Sequence, residues 1–167
     1  MRTLFKVLGI VVLLCLPCGP ARSATKNETA IQQLLDRWET AFEAKNIDGV
    51  MAVYAPGDAV VAFDVVPPLE KHGRDAYRKN YEDFFSMYDG PIDVEFREVT
   101  IVAGSDVAFV HCLEKFSGTI KGGPKSEVWL RVTSGLRKIK GKWLIVHDHV
   151  SAPVDFETGK AALDLKP

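Results

Sequence analysis

Cysteine, long apolar runs and clustered positive charge are all scarce in this sequence. Its 167 residues include three cysteines, and two of them, Cys15 and Cys18, lie near the N-terminus. Cys112 is then the last thiol, so the rest of the chain excludes a disulfide-stabilised fold. The 21 basic and 22 acidic residues nearly balance, and no basic cluster suggests a footprint for a phosphate backbone. We therefore expect no nucleic-acid partner.

The first 24 residues have the composition of a secretory signal peptide. Arg2 and Lys6 precede an apolar run over residues 7–16, and residues 17–20 break that run before a stretch of small side chains. The run is shorter than the roughly 20 residues that a membrane anchor needs. We predict cleavage after Ser23 or Ala24, a secreted or periplasmic mature protein, and no membrane association after cleavage.

The mature chain is predicted to form one α+β domain over residues 25–153, followed by a polar tail over residues 154–167. Apolar spacings of three and four predict helices over about 27–45 and 74–88, with a shorter one from Asp48 to Pro56. β-branched residues predict a strand over about 59–66. Four further strands, about 92–102, 106–117, 126–138 and 142–151, form an antiparallel meander. The three helices should cover one face of a single curved sheet.

Two local features of these strands can also be predicted. Apolar residues change parity in the first strand of the meander, which indicates a β-bulge near Arg97 and Glu98. Cys112 lies within the apolar run 107–116, so a buried core thiol is favoured over a reactive nucleophile.

The order of elements and two stretches of sequence resemble the nuclear transport factor 2-like superfamily. The stretches are Asn-Ile-Asp-Gly-Val-Met at 46–51 and Gly-Lys-Trp-Leu-Ile-Val-His-Asp-His-Val-Ser-Ala-Pro at 141–153. The chain is most similar to the SnoaL-like, ketosteroid-isomerase-homologue branch, and its last segment is also similar to the association domain of calcium/calmodulin-dependent kinase II. The resemblance implies a cone-shaped pocket between sheet and helices, in a homodimer that packs sheet against sheet. It leaves the function open, because one fold can support many functions.

Polar side chains among core positions of the strands are the candidate binding groups. Alternation places Trp129, Arg131 and Thr133 on one face of their strand. The same rule places His147 and His149 on one face of the next strand. Both faces mix apolar and polar groups, so alternation leaves open which face is concave.

Arg131 is flanked by apolar residues in a central strand. A guanidinium buried there would have to be paired or bind an anion, because an unpaired buried charge is costly. Asp64 or Glu127 could pair with it, and a ligand carboxylate is the alternative.

His147 and His149 are spaced so that both imidazoles could reach one metal ion. A metal site would need a third ligand, which Asp64, His111 or Glu127 could provide only if the fold brought it close. We expect instead two neutral, hydrogen-bonding histidines, with no metal and no cofactor.

Similarity to the steroid isomerases of the superfamily implies a Tyr in the first helix and two Asp residues in the pocket. Trp38 occupies the position of that Tyr, and Phe63 or Asp64 the position of the general base. Thr133 lies near the position of the other Asp. Two of the three roles are therefore filled by other residue types.

We expect an exported, homodimeric pocket protein that binds a small organic molecule. The expected binding residues are Trp38, Asp64, Tyr81, Trp129, Arg131, Thr133, His147 and His149. The alternative is an enzyme of the isomerase, cyclase or dehydratase type, with Asp64 or His149 as general base and Arg131 stabilising an oxyanion. A third possibility is a structural or oligomerisation module. A buried carboxylate with a shifted pKa beside the histidines would favour the enzyme, and a filled cavity would favour the module.

Overall fold

The computed structural model describes residues 24–167. The predicted signal peptide, up to residue 23, lies outside the described residues. These residues form three α-helices and six strands. The helices are α1 (Lys26–Glu43), α2 (Ile47–Met51) and α3 (Arg74–Ser86), and α3 follows the second strand. The strands are β1 (Val61–Phe63), β2 (Lys71–His72), β3 (Tyr88–Ala103), β4 (Val107–Ile120), β5 (Lys125–Ile139) and β6 (Lys142–Ser151). No helix in the described part of the chain is both long and apolar enough to cross a membrane.

The six strands form one curved sheet in the order β2-β1-β6-β5-β4-β3. β3 to β6 pair as an antiparallel meander, and β1 adds to β6 in parallel. The predicted α+β class, three helices and meander are confirmed. The strand predicted over 59–66 is shorter, because the chain leaves the sheet after Phe63 and returns as β2, which the sequence analysis did not predict.

Helix α1 begins with a capping box formed by Thr25 and Glu28. The Thr25 hydroxyl accepts from the Glu28 backbone N–H at 3.2 Å, and the Glu28 carboxylate accepts from the Thr25 N–H at 2.7 Å. These bonds satisfy donors that the first helical turn leaves free. The buried stripe of α1, which includes Ile31, Trp38 and Phe42, packs over the sheet.

Helix α2 packs closely against α1 because Gly49 has no side chain. The Asn46 side chain caps α2 by accepting from the Gly49 N–H at 3.0 Å. A Cβ atom at Gly49 would lie 2.7 Å from the Cβ of Ala41. This close approach fixes the end of α2, after which Tyr54 forms a parallel bridge with Ile145 of β6.

Two of the three register shifts among the described strands bear on the direction of the site's side chains. The first lies between Arg97 and Thr100, where Glu98 has a φ of 53°, and it confirms the predicted bulge. The second lies on β6, where Gly135 pairs with His147 but Leu136 pairs with Ile145. Val146 is the extra residue, so Ile145 and Asp148 face one side while His147 faces the other.

The C-terminal segment, predicted as a polar tail, folds back toward the sheet. Val154 bridges to Ala161, and the Lys166 ammonium lies 2.9 Å from the Glu127 carboxylate. Leu163 reaches the rim of the cavity described below.

Candidate functional site

A cavity of about 800 Å³ lies between the helices and the inner face of the sheet. We define the inner face as the side that contacts the helices, and the outer face as the opposite side. On β4 and β5 the inner face contributes Val110, Cys112, Glu114, Phe116, Val128, Leu130, Val132 and Ser134. Opposite them stand Trp38 and Phe42 of α1 and Tyr77 and Tyr81 of α3. Most of the lining surface is apolar, and polar or charged side chains of the segment 64–72 and of α3 also line the cavity.

Asp148 is the centre of a buried polar cluster in this cavity. Its Oδ1 accepts from the Ser134 hydroxyl at 2.6 Å. Its Oδ2 accepts from the Tyr54 hydroxyl at 2.7 Å and from the Tyr77 hydroxyl at 3.3 Å. The Tyr81 hydroxyl lies 2.7 Å from that of Tyr54. The segment after α2, helix α3 and strand β5 thus converge on one carboxyl group.

The carboxylate fixes the direction of the hydrogen bonds around it. Each phenol can donate one hydrogen bond, and Tyr54 donates its hydrogen bond to Asp148. The short bond between Tyr54 and Tyr81 is then donated by Tyr81. The oxygen of Tyr81 keeps the capacity to accept a hydrogen bond.

Burial raises the pKa of Asp148 to about 6, although the hydrogen bonds from Ser134, Tyr54 and Tyr77 act in the opposite direction. Desolvation disfavours the charged form of a carboxyl, whereas donated hydrogen bonds favour it. Burial also raises the pKa of Tyr54 and Tyr77 well above that of a free phenol. Asp148 therefore changes its charge within the range of mildly acidic pH.

Glu114 is a second buried acid in the cavity wall, and it is 4% exposed. Within the described residues, its Oε1 atom has no hydrogen-bond partner. Burial raises the pKa of Glu114 well above its ordinary value, and the acidic groups Asp148, Glu39 and Asp64 add to the rise. These conditions favour the neutral acid.

Trp38 places another unsatisfied group in the same cavity. Its indole Nε1 is buried and lacks a partner among residues 24–167. The ring stacks on Phe42 with centroids 4.7 Å apart and lies 5.9 Å from the ring of Phe96. Phe96 is the β3 residue that pairs with Glu114 of β4, so the two unsatisfied groups belong to adjoining parts of the wall.

Three of the eight predicted binding residues line the cavity: Trp38, Asp64 and Tyr81. Asp64 stands where the chain leaves β1. Its carboxylate accepts from the Asn80 side chain at 2.7 Å and from the Val65 backbone N–H at 2.6 Å. It is therefore fixed by its own loop and by α3.

The other five predicted residues do not line this cavity. They are Trp129, Arg131, Thr133, His147 and His149, and all lie on the outer face. Alternation grouped the first three correctly, but their face is convex. The bulge at Val146 turned the histidines outward and Asp148 inward.

Arg131 needs no buried partner, because it is exposed to solvent on the outer face. The proposed partners are engaged elsewhere: Asp64 with Asn80, and Glu127 with Lys166. Trp129 is likewise no cavity wall, since its ring lies beneath the Arg97 guanidinium on the outer face, at 5.0 Å.

The histidines pack around the first strand of the sheet. Nδ1 of His147 lies 2.8 Å from the carbonyl oxygen of Val61, which makes that nitrogen the donor. The Phe63 ring lies 4.9 Å from the His147 ring and 5.7 Å from the His149 ring. In the described part of the chain, no three His, Cys, Asp or Glu side chains are grouped to hold a metal ion.

Cys112 lies on the inner face and is buried, as predicted. Burial raises the pKa of its thiol to about 12, and the nearby acids Glu114 and Asp148 contribute to the rise. A thiol in this state is a poor nucleophile at neutral pH.

Sequence reasoning missed the acids at the centre of the site. Asp148 was treated only as the spacer between two histidines, and Glu114 as part of an apolar strand. Tyr54 and Tyr77 are likewise absent from the predicted binding residues. The available signal was an acid inside each of two otherwise apolar strand segments, since a buried acid requires a special environment.

Comparison with known proteins agrees with the fold. A model of the SnoaL-like domain matches residues 31–155. An NTF2-like protein of unknown function from Pseudomonas putida KT2440 is 37% identical, with 86% of this chain and 99% of that chain covered and a TM-score of 0.77. No curated protein sequence matches this chain.

Two further solved structures share the fold at lower identity. A protein from Xanthomonas campestris, named for the association domain of calcium/calmodulin dependent protein kinase II, is 27% identical over 80% of this chain and 91% of that chain, with a TM-score of 0.66. A ketosteroid isomerase-like protein from Erwinia carotovora atroseptica is 24% identical over 77% of this chain and 97% of that chain, with a TM-score of 0.65. The match to the family model covers most of the described residues, and the chain therefore belongs to the SnoaL-like domain family.

Proposed function

We propose that this protein binds a small, largely apolar organic molecule in the cavity between its helices and its sheet. The observation that carries the proposal is the cavity of about 800 Å³, whose apolar walls enclose a few convergent polar groups. Pockets that bind small molecules have this size and this combination of surfaces. A purely structural module would be expected to fill such a space with side chains, because protein interiors are close-packed.

The proposal includes export. It is supported by the basic start of the chain, the short apolar run and the small residues before position 24. The test is the intact mass of protein recovered outside the cytoplasm. Loss of 23 or 24 residues supports export, and full-length chain or a lipid-modified cysteine there contradicts it.

The experiment for ligand binding is mass spectrometry of material released from the purified mature protein by denaturation. We expect a small organic compound that is present with the wild type and depleted in Val132→Trp, where an indole occupies the inner face. Thr133→Trp is the matched control, because that residue lies one position along β5 and on the outer face. Equal amounts of the compound in both variants would contradict the proposed site.

A second candidate, an enzyme that transfers protons, is favoured by one specific observation. Asp148 is a buried carboxyl with a raised pKa beside the histidines, and Glu114 is a second buried acid facing the same cavity. Two acids whose environments differ are a common arrangement for general acid and base catalysis. Asp148 already accepts three hydrogen bonds, whereas Oε1 of Glu114 has none.

The roles in this second candidate differ from those expected from the sequence. His149 and Arg131 face away from the cavity, which removes them as base and oxyanion donor. Asp64 remains at the rim. Glu114 is the proposed acid that contacts the ligand, with Asp148 as a group that orients the tyrosines.

The enzyme candidate is tested by incubating the compound identified above with the wild type and with Glu114→Gln. Conversion of the compound by the wild type, lost in a variant that still binds it, would establish catalysis. Unchanged compound after prolonged incubation with the wild type would leave the protein as a binding protein.

A further inference from the structure

Tyr81 presents a hydrogen-bond acceptor to the cavity. Asp148 accepts the hydrogen bonds that Tyr54 and Tyr77 donate. The hydroxyl of Tyr81 must therefore donate its hydrogen bond to the oxygen of Tyr54, at 2.7 Å. The longer alternative, to Tyr77 at 3.5 Å, has the same consequence. The phenolic oxygen of Tyr81 then retains lone pairs for a ligand. A ligand that meets Tyr81 should therefore bring a donor.

Glu114 presents the opposite requirement. The charges that act on it come from Asp148, Glu39 and Asp64, all acidic, and its burial disfavours an ionised carboxylate. A neutral carboxylic acid has one O–H to donate. The unpaired Nε1 of Trp38 is a second donor in the adjoining wall. A ligand that meets these groups should bring an acceptor, because a buried polar group left unpaired is costly.

Tyr81 and Glu114 belong to the same part of the cavity. Both line it. The Trp38 ring lies 6.4 Å from the ring of Tyr81 and 5.9 Å from that of Phe96, the strand partner of Glu114. A carbonyl oxygen could accept from Glu114 but could not donate to Tyr81. An alkylammonium group could donate to Tyr81 but could not accept from a neutral acid. A hydroxyl group does both.

We propose that the cavity selects uncharged, largely apolar alcohols or phenols, whose hydroxyl group donates to the oxygen of Tyr81 and accepts from the carboxyl group of Glu114. This inference rests on the proposed binding function and narrows it to one class of ligand. No covalent step is involved.

The test uses three probes of nearly the same shape: phenanthrene, 9-methoxyphenanthrene and 9-phenanthrol. The first offers no strong hydrogen-bonding group, the second only an acceptor, and the third an acceptor and a donor. Their dissociation constants are measured by fluorescence titration at neutral pH. We expect 9-phenanthrol to bind roughly 5- to 10-fold more tightly than 9-methoxyphenanthrene, the gain of about one neutral hydrogen bond.

Variants then separate the two contacts. Tyr81→Phe should remove the advantage of 9-phenanthrol over 9-methoxyphenanthrene and leave phenanthrene binding unchanged. Glu114→Leu should weaken the two oxygen-bearing probes but not phenanthrene, and Glu114→Gln should restore them, because its amide still donates. Thr133→Val on the outer face is the matched control and should change none of the three constants.

The outcomes distinguish the hydroxyl preference from the proposed binding of a small molecule in the cavity. Equal binding of 9-phenanthrol and 9-methoxyphenanthrene by the wild type overturns the hydroxyl preference, even if Tyr81→Phe fails to fold. Equal weakening of all three probes in a folded Tyr81→Phe variant also overturns it. If none of the probes binds, the apolar cavity takes no ligand of this kind and the proposed function itself fails.

Discussion

The Tyr54 hydroxyl donates a 2.7 Å hydrogen bond to Oδ2 of Asp148, although the two residues are 94 positions apart. Tyr54 follows α2, and Asp148 lies on the last strand of the sheet. Both residues line the cavity, and the bond sets the direction in which the neighbouring phenols donate. The geometry of the binding site therefore depends on a contact between residues far apart in the sequence.

Removing that bond should destabilise the protein more than removing its longer neighbour. Tyr54→Phe leaves a buried carboxyl without its shortest phenol donor, and we expect a loss of about 1–3 kcal/mol in the free energy of unfolding. Tyr77→Phe removes the 3.3 Å bond to Asp148 and the 3.5 Å bond from Tyr81, both longer than the bond of Tyr54, and is the matched comparison. Urea unfolding of both variants at neutral pH measures the difference. A larger loss in Tyr77→Phe would contradict the assigned hydrogen bonds.

Asp148 should make stability depend on pH with a defined sign. Its pKa is about 6 in the folded chain, against an ordinary value of 3.8, so the folded state holds the proton more tightly. Its contribution to the free energy of unfolding is present below about pH 4 and is lost as the pH rises through about 6. The free energy of unfolding then falls by about 3 kcal/mol. Asp148→Asn should abolish this fall in urea unfolding measured across the range. A fall of equal size in the variant would assign it to another group.

Glu114 should also make the free energy of unfolding fall as the pH rises, since burial raises the pKa of this residue as well. The folded state again binds the proton more tightly, so stability is lost as the pH rises above the ordinary value of 4.5. Glu114→Gln keeps a neutral side chain of the same shape and should flatten this part of the curve. A variant whose stability fell more steeply with rising pH than that of the wild type would contradict a neutral Glu114.

We propose that two chains pair through the outer face of the sheet. Phe63 and Phe109 are 39% and 45% exposed there, beside half-exposed valines of β3 and β4, and exposed apolar patches of this kind mark interfaces. Sedimentation should give about twice the mature mass, and Phe109→Lys should shift it toward the monomer. A wild-type monomer at tens of micromolar, roughly, would contradict the assembly.

Arg131 should have no role in ligand binding, because it lies exposed on the outer face. We expect Arg131→Met to leave the affinity for phenanthrene and 9-phenanthrol unchanged within about twofold, well below the effect of one lost hydrogen bond. Fluorescence titration measures both constants. A selective loss for the hydroxylated probe would place Arg131 in the site after all.

The sequence predicts the fold better than the site, for a physical reason. Helices, turns and the bulge at Arg97 follow from local spacing and backbone preferences, which the chain carries in short segments. The inner face depends on the bulge at Val146, opposite Gly135 of β5. The continuous apolar run 143–146 hides the position of the extra residue. Because of Val146, the side chain of Asp148 faces the cavity and that of His147 does not. Glu114 was missed because its neighbours are apolar, although an acid among them is itself informative.

The most direct test of the account is a titration of phenanthrene into the wild type, Val132→Trp and Thr133→Trp, with folding of each verified by thermal unfolding. Val132 lines the cavity, whereas its neighbour Thr133 lies on the opposite face. We expect saturable binding to the wild type and to Thr133→Trp, and a loss of at least about tenfold in Val132→Trp, because the indole fills space that the ligand needs. Wild-type protein that binds no phenanthrene, or a folded Val132→Trp variant that binds it equally well, would contradict a ligand site in this cavity.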